Sequence, residues 1–341
     1  MTADVDVLVV GGGPIGLTAA IEARLAGLSV AIAEPRDGAI DKACGEGLMP
    51  GAIPLLNRLG VDPDGMPLLG VSYQDATRRA DHRFRHGVGR GVRRTQLHAA
   101  LTARADGLGV QRIYERVEAI RQDEHAVTAA GLRARYLLGC DGLHSTIRRL
   151  AQLEQPTMRA RRFGLRQHFQ VAPWTDLIEV HWTPHAEVYV TPVAPDTVGI
   201  AVLGPRHTSF EDAVAAVPKL ADRLAGHEFV SELRGAGPLR QRASARHRGR
   251  VLLVGDAAGY VDAITGEGLR LGFEQARAAI AAVGAHAPAR YEREWLRITR
   301  DFRFLTDNLV RAANSPLRRA IVPAASALPA LYGSIVERLA R

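Results

Sequence analysis

Short apolar runs and helical stretches alternate at the beginning of the chain. Residues 5–10 are largely apolar and stop at Gly-Gly-Gly-Pro in positions 11–14. Residues 15–26 then have helical composition, and 28–33 are apolar again. An apolar strand that is followed by a helix and a second apolar strand is typical of a βαβ unit with parallel strands. The opening therefore predicts an α/β fold.

The pattern changes further along the chain. Residues 71–88 predict a strand pair, and from about 161 to 203 polar and apolar residues alternate, which predicts an antiparallel sheet. Apolar strands at 134–139 and 250–254 return to the first pattern, so we predict two discontinuous, interleaved domains. The predicted segments are 1–70, 92–155 and 241–285 for a cofactor-binding domain, 71–91 and 156–240 for a substrate domain, and 286–341 for C-terminal helices.

Composition limits the classes of protein. At 341 residues and 47% hydrophobic, the chain can bury a large core. Its formal charge of +8 comes almost wholly from scattered arginines, because the only lysines are Lys42 and Lys219, and this argues against a nucleic-acid partner. The only cysteines, Cys44 and Cys140, cannot build a disulfide framework or a metal cluster, so no metal is predicted. No signal peptide or spanning apolar run is visible, which predicts a soluble, cytoplasmic protein.

The first turn carries a dinucleotide-binding pattern. Gly11, Gly13 and Gly16 fit G-x-G-x-x-G between strand and helix, and Pro14 lies inside the motif. The first glycine allows a tight turn, the second lets a pyrophosphate approach the backbone, and the third permits close packing of helix on strand. Glu34 ends the next strand at the distance expected of a carboxylate that binds an adenosine ribose. These residues predict a Rossmann-like domain that binds a dinucleotide.

Two later segments resemble the p-hydroxybenzoate hydroxylase superfamily of FAD-dependent oxidoreductases. The segment 140–148, which contains Asp141, resembles its Asp-Gly motif, and 254–259, which contains Gly255 and Asp256, resembles its Gly-Asp motif. The resemblance implies that Asp256 holds the ribityl chain and that Asp141 lies near the dinucleotide and the approach of the nicotinamide. Arg94 stands where the family places an arginine on the FAD pyrophosphate, and its neighbour Arg93 is the competing candidate.

The same resemblance implies how the flavin is tuned and reduced. Gly266 and Gly268 open a helix, and its backbone N–H groups would face the flavin C2 carbonyl and N1, where negative charge accumulates on reduction. No second glycine-rich dinucleotide fold is visible, so NADH or NADPH is expected to visit transiently as the reductant of the FAD.

Two branches of the superfamily compete for the function. Cys-Gly-Glu-Gly-Leu at 44–48, Gly259 and Thr-Gly-Glu-Gly at 265–268 resemble the geranylgeranyl reductase branch, whose members saturate isoprenoid double bonds. The general pattern of this shorter chain resembles small bacterial flavoprotein hydroxylases of polyketide and phenolic-lipid pathways. We therefore expect a monooxygenase that hydroxylates an aromatic or polyketide-like molecule through a flavin C4a-hydroperoxide, with the reductase as the alternative.

Further alternatives belong to other classes. A flavin halogenase is disfavoured because its Trp-x-Trp-x-Ile-Pro motif is not found. A nicotinamide-only dehydrogenase is argued against by the Gly-Asp segment, and a flavin-binding protein without turnover stays open because fold alone does not choose among functions.

Candidate residues for the chemistry are positional. Cys44, His168 and Tyr189 are the catalytic candidates, although a buried cysteine is often only a small apolar side chain and His168 is more simply explained as a satisfied core or surface histidine. The candidates for substrate contact are Met49, Pro50, Trp182 and Pro192.

The final stretch, 316–341, is mostly apolar between basic ends. It predicts short amphipathic helices, which either contact lipid or a lipid-like substrate weakly or pack back over the flavin domain. The pattern does not predict an oligomeric state.

Overall fold

A computed structural model describes residues 3–157 and 162–341. The first two residues of the predicted 1–70 segment, and 158–161 of the predicted 156–240 segment, lie outside the described residues. The helices are α1 (Pro14–Leu25), α2 (Ala52–Leu59), α3 (Arg94–Gly107), α4 (Thr146–Leu150), α5 (Phe210–Ala215), α6 (Pro218–Leu224), α7 (Gly268–Gly284), α8 (Ala289–Ala313), α9 (Ile321–Ala327) and α10 (Pro329–Ala340), with short 3₁₀ helices at Gly255–Ala258 and Pro316–Ala320.

The strands comprise longer ones that follow the predicted runs and several short ones that lie outside them. They are β1 (Val5–Val10), β2 (Val30–Ala33), β3 (Gly47–Leu48), β4 (Met66–Leu68), β5 (Gly70–Gln74), β6 (Arg79–Arg83), β7 (Gly89–Gly91), β8 (Gln111–Ile113), β9 (Arg121–Gln122), β10 (Val127–Ala129), β11 (Leu132–Gly139), β12 (Glu154–Gln155), β13 (Arg162–Gln170), β14 (Leu177–Trp182), β15 (Glu187–Ala194), β16 (Thr197–Pro205), β17 (Arg234–Ala236), β18 (Arg242–Ala243), β19 (His247–Arg248) and β20 (Val251–Leu253).

The first sheet has the strand order β19-β20-β11-β1-β2-β8, and β10 and β9 extend it from β11. The strands from β20 to β8 pair in parallel. Val7, Leu8 and Val9 are fully buried, so both faces of the strand are covered, which is why β1 is apolar at almost every position. The carboxyl ends of β1, β2, β11 and β20 meet at one edge of this sheet, where ligands bind in such folds.

The alternating stretch forms the second sheet, antiparallel as predicted, and the early strand pair β5 and β6 joins it through one parallel contact. Its order is β17-β13-β16-β15-β14-β5-β6, and every pair is antiparallel except β14 with β5. Strands β5 and β6 form the early excursion of the chain, and β14 follows about a hundred residues later. A connection of that length can return in either direction, so no hairpin forces an antiparallel pair.

The two faces of the second sheet are covered by different helices. Val188, Val190 and Ile200 point to one face and pack with α5 and α6. The opposite face carries Val180 and Trp182 and lies under the helices at the end of the chain. Side chains alternate between faces along each strand, so the register decides which residues point toward the cofactor side.

The last helices divide between the two sheets. Trp295 of α8 is buried in the core of the first sheet, as expected for packing over the flavin domain. Val322, Tyr332 and Val336 of α9 and α10 instead join the apolar cluster on β5 and β14, and the Tyr332 hydroxyl donates to the Val71 carbonyl at 3.3 Å. The apolar faces of α9 and α10 therefore lie mainly on the aromatic side of the second sheet, while Leu339 at the end of α10 packs with Leu271 of α7.

Candidate cofactor and active site

A cavity of about 360 Å³ opens at the carboxyl edge of the first sheet. The ends of β1, β2, β11 and β20 and the start of α1 line it. The peptide dipoles of α1 point their positive end at this space, which favours an anionic group such as a phosphate. Most of the sequence-predicted cofactor residues meet here.

The glycine-rich turn has the geometry that the motif requires. Gly11 has φ +107°, and a Cβ built on it lies 2.6 Å from the Cys140 carbonyl oxygen. A Cβ on Gly16 would lie 1.8 Å from the Gly11 oxygen, so α1 packs directly on the turn. Gly13 lines the cavity, and no described atom lies within 4 Å of a Cβ built there. Gly11 and Gly16 are therefore required by close packing within the protein. Gly13, which precedes Pro14 at the first position of α1, leaves the backbone open to a ligand.

Glu34 is held as an ionised acceptor at the end of β2. Its carboxylate accepts hydrogen bonds from the Gly12 N–H at 2.9 Å and from Arg36 Nε at 2.7 Å. Burial alone would raise the pKa of Glu34, but the hydrogen bonds from Arg36 and Gly12 hold that pKa below its ordinary value. A carboxylate that only accepts hydrogen bonds suits the hydroxyls of a ribose.

Cations gather where a pyrophosphate would lie. Arg94 lines the cavity as the first residue of α3, and its buried Nε has no hydrogen-bond partner among the described residues. Arg93, the competing candidate, is not among the described residues that line the cavity. Lys42 and Arg36 also line it, and burial, with Arg36 and Arg94 nearby, lowers the pKa of the Lys42 ammonium. The sequence offered no signal for Lys42, which sits in an irregular loop.

The two motif aspartates have different surroundings. Asp141 accepts hydrogen bonds from Ser145 Oγ at 2.5 Å and from the Ile147 N–H at 3.0 Å, so it also fixes the start of α4. Asp256 lines the cavity near its positive side chains. Burial raises the pKa of the Asp256 carboxyl, while Arg94 and Lys42 oppose that shift. Gly255 has φ +66° and donates its N–H to Gln275, which sets the turn that presents Asp256.

The start of α7 lies deeper, beside Tyr260. Gly266 has φ +72° with no described atom within 4 Å of a built Cβ, and a Cβ on Gly268 would meet the Tyr260 ring at 3.3 Å. Gly268 and Asp256 line a small cavity of about 20 Å³ with Tyr260. Burial raises the pKa of the Tyr260 phenol, and the neighbouring Asp256 and Cys44 raise it further. Cys44 therefore lies near this end of the site, where it also accepts the Glu46 N–H at 3.4 Å.

His168 is built into a buried polar network and does not line the cavity of the cofactor site. Its Nε2 lies 2.5 Å from Glu46 Oε2, and its Nδ1 lies 2.9 Å from Ser231 Oγ. The other Glu46 oxygen accepts the Arg94 N–H at 2.7 Å. Both ring nitrogens are thus occupied within the protein, and the pair joins the second sheet to the start of α3. The positions in the chain, which are far apart, gave no sign of this contact.

The remaining substrate candidates lie on the cofactor side of the second sheet or beside it. Tyr189 donates its hydroxyl to the Ile264 carbonyl at 3.0 Å, and Trp182 lies 5.4 Å from the Tyr73 ring. Met49 is buried in the same apolar cluster. Pro192 lies at the β15 irregularity next to Gly91, and Pro50 is near Gly87.

Glu267, at the start of α7, gives the site a dependence on pH. Burial raises the pKa of its carboxyl to about 7, although Arg270 opposes the shift. The folded protein therefore holds a proton here that the unfolded chain, with a Glu pKa near its model value of 4.5, releases. This contribution to stability is fully present below the unfolded pKa and is lost as the pH rises through about 7.

Glu267→Gln tests that titration. The amide keeps the shape but does not ionise, so the free energy of unfolding of the variant relative to the native protein should rise by up to ~3 kcal/mol between pH 4.5 and 8. Urea unfolding at constant excess FAD measures the difference, and Glu294→Gln, at a half-exposed site on α8, is the control. A difference that does not change with pH would show that Glu267 is ionised throughout.

The comparisons with known proteins agree with this geometry. The model of the family described as "FAD binding domain" matches residues 4–288. The dialkyldecalin synthase of Streptomyces rugosporus is 29% identical over 299 residues, which cover 79% of this chain and 63% of that protein. The menaquinone reductase of Mycolicibacterium smegmatis is 28% identical over 342 residues, which cover 86% of this chain and 80% of that protein. Other curated relatives are named as monooxygenases or hydroxylases of hydroxyphenylpropionate, rifampicin and anhydrotetracycline.

Among solved structures, the anhydrotetracycline hydroxylase of Streptomyces rimosus superposes with a TM-score of 0.73 at 26% identity. The match covers 98% of this chain and 75% of that one. The chain spans 63%, 53% and 62% of the length of the first three curated relatives.

Proposed function

Since this chain belongs to the FAD binding domain family, with FAD as its cofactor, we propose that it is a monooxygenase that hydroxylates an aromatic or polyketide-like small molecule. The observation that carries the proposal is the joining of two features. A cavity fitted to a dinucleotide lies at the edge of the first sheet, and an aromatic, apolar face of the second sheet is enclosed beside it. The hydroxylase and monooxygenase names among the relatives support it.

The residues of the first sheet would hold the cofactor, and we assign them to a discontinuous FAD domain, 1–70, 92–155 and 241–285. Arg94 and Lys42 would offset the charge of the pyrophosphate. Glu34 would accept hydrogen bonds from the ribose, and Asp256 would accept them from the ribityl chain. FAD, when bound, accepts reducing equivalents from NADH or NADPH and activates oxygen. The positive end of the α7 dipole favours the reduced, anionic form of such a cofactor.

The second sheet would orient the substrate and keep water out, and we assign 71–91 and 156–240 to it. Tyr73, Trp182 and Tyr332 form a continuous aromatic group, with ring centroids of Tyr73 lying 5.4 Å from Trp182 and 5.1 Å from Tyr332. Such a surface suits a planar, poorly hydrated ring better than a charged molecule. Hydroxylation needs a dry site, because water would divert the activated oxygen.

A second candidate function is the reduction of an isoprenoid double bond. The observation that favours it is the position of Cys44 near Tyr260 and Asp256, which places a thiol at the flavin end of the site as a proton donor. The match to a protein named menaquinone reductase, of which the chain covers 80%, also supports a reductase function.

One experiment separates these functions. The purified holoprotein is incubated with NADH or NADPH and a phenolic or polyketide-like compound under heavy-isotope oxygen, and the flavin absorbance and product mass are followed. We expect ligand-stimulated flavin reduction, and a product that has gained one heavy oxygen atom.

Opposite results are equally clear. A product that has gained only two hydrogens, formed without oxygen from an isoprenoid alkene, would establish the reductase. A flavin that no donor reduces would identify a binding protein without turnover. Protein from which FAD has been removed is the control in every arm.

A further inference from the structure

The outward side of the last two helices is an exposed apolar surface. Leu317, Leu328, Leu331 and Ile335 expose 64%, 54%, 55% and 37% of their surface. Residues 320–335 carry no charge, whereas Arg318 and Arg319 directly follow Leu317. Leu328, Leu331 and Ile335 follow helical spacing and therefore share one side of α10, and exposed apolar surface of this kind marks a site of interaction. We call these four residues and the helices that carry them the apolar arm surface.

The unpaired charges on the segment that carries the apolar arm surface are positive. Glu337 is the only acidic residue from 308 to 341, and it is buried and paired with His82 at 2.7 Å. Arg311 and Arg319 are exposed on this segment, whereas Arg338 is exposed but pairs with Asp301 of α8 at 2.5 Å. An apolar patch with a cationic rim complements a surface that is apolar below and anionic at its boundary.

The helices have the geometry of a segment that lies along such a surface. Within the described residues no single helix is long and apolar enough to cross a membrane, and only the two arms Pro316–Ala327 and Pro329–Ala340, bent by 102°, reach that length together. Each arm also buries its inner side, with Val322, Tyr332 and Val336 packed on the second sheet. The outer side of each arm therefore faces solvent, and the inner side is packed against the protein.

We propose that the apolar arm surface docks the protein on an anionic lipid bilayer, with the arms lying in the interface. A second copy of the chain is a poorer occupant. A two-fold contact brings the same patch of both copies together, so it would place the arginine rims against each other.

The proposal has a consequence for the substrate, which rests on the proposed function. The inner face of the arms covers the aromatic side of the second sheet, so docking would place the bilayer on one side of α9 and α10 and the substrate face on the other. A single layer of helices would then separate the substrate face from the bilayer.

The test uses the FAD-loaded protein and sedimentation with vesicles. Vesicles of phosphatidylcholine alone are compared with vesicles that also contain phosphatidylglycerol, and we expect binding to the anionic ones. Leu328→Ser combined with Leu331→Ser should weaken that binding about tenfold, because two leucines no longer enter the apolar layer. The matched control is Leu25→Ser combined with Leu233→Ser, whose leucines are 45% and 43% exposed outside the arms.

The charges are tested separately. Arg311→Gln combined with Arg319→Gln should weaken binding to anionic vesicles about thirtyfold, since each basic residue near the surface contributes about 1 kcal/mol. The bound flavin spectrum shows that every variant is folded.

Three outcomes would overturn the docking proposal. They are no binding to anionic vesicles, equal loss of binding in the arm and control variants, and dimers that the arm variants dissociate while no vesicles are bound. Vesicle binding does not require turnover. Vesicle binding without a hydroxylated product would therefore support docking and count against the proposed function. A hydroxylated product without vesicle binding would count only against docking.

Discussion

Gly13→Val is expected to give a protein that folds but does not retain FAD. A Cβ at this position meets no described atom within 4 Å, and Gly13 has φ −70° and ψ 175°, which valine adopts readily. The side chain would instead fill the space through which a pyrophosphate approaches the backbone. An overpacked contact costs about 1–3 kcal/mol, and the hydrogen bonds at the start of α1 are lost as well, so FAD affinity should fall about a hundredfold or more.

Quenching of FAD fluorescence measures the affinity, and thermal melting of the FAD-free proteins measures the fold. Gly16→Val makes the comparison informative, because its Cβ would lie 1.8 Å from the Gly11 oxygen and should prevent folding itself. Gly284→Ala, with no described atom within 4 Å of its Cβ, should leave both properties unchanged. Native affinity in Gly13→Val would mean that the dinucleotide does not cross the first turn.

The cofactor site was predictable where its chemistry is local in the chain. Gly11, Gly13 and Gly16 lie in one turn, and Glu34 follows after a single helix and strand, so spacing alone brought them together. Asp256 and Arg94 could be proposed only through a resemblance to known flavoproteins. The structure places both on the same cavity.

The roles of residues that depend on tertiary contacts could not be predicted from the sequence. Lys42 lies in a loop without periodicity, and only the fold brings its ammonium into the cavity. For His168 the alternation along β13 gave its face but not its partner, Glu46, which is 122 positions away in the chain. The parallel pairing of β5 with β14 was missed for the same reason, since alternation predicts a strand but not the direction of its neighbour.

The clearest case of this kind is a buried ionic network on the second sheet. Glu187, fully buried on β15, contacts Arg162 on one side and Arg318 Nη1 at 2.6 Å on the other. Arg162 also lies 3.2 Å from Asp262, whose pKa burial raises to about 6. The sheet, the turn after the Gly-Asp motif and the last helices are therefore joined through charges that water does not reach.

Arg318→Met is expected to loosen the last helices and to destabilise the protein by ~1–3 kcal/mol, the usual cost of leaving buried acceptors without one of their hydrogen-bond partners. Methionine keeps the apolar stem but leaves Glu187 with one cation. It also removes the donor to the Thr183 carbonyl, which Arg318 Nε reaches at 2.6 Å. Hydrogen exchange of the segment 316–341, followed by mass spectrometry, should show faster exchange there before any other part of the protein opens.

Arg319→Met is the matched control, because it removes the same charge one residue further on, from an exposed position. Its effect should stay within about 0.5 kcal/mol, as for most surface substitutions. Combining Arg318→Met with Glu187→Gln isolates the pair, since the second change should cost less once Arg318 is gone. Equal exchange in the Arg318 and Arg319 variants would mean that apolar packing alone holds α9 and α10 on the sheet, and that the buried charges serve only β13 and β15.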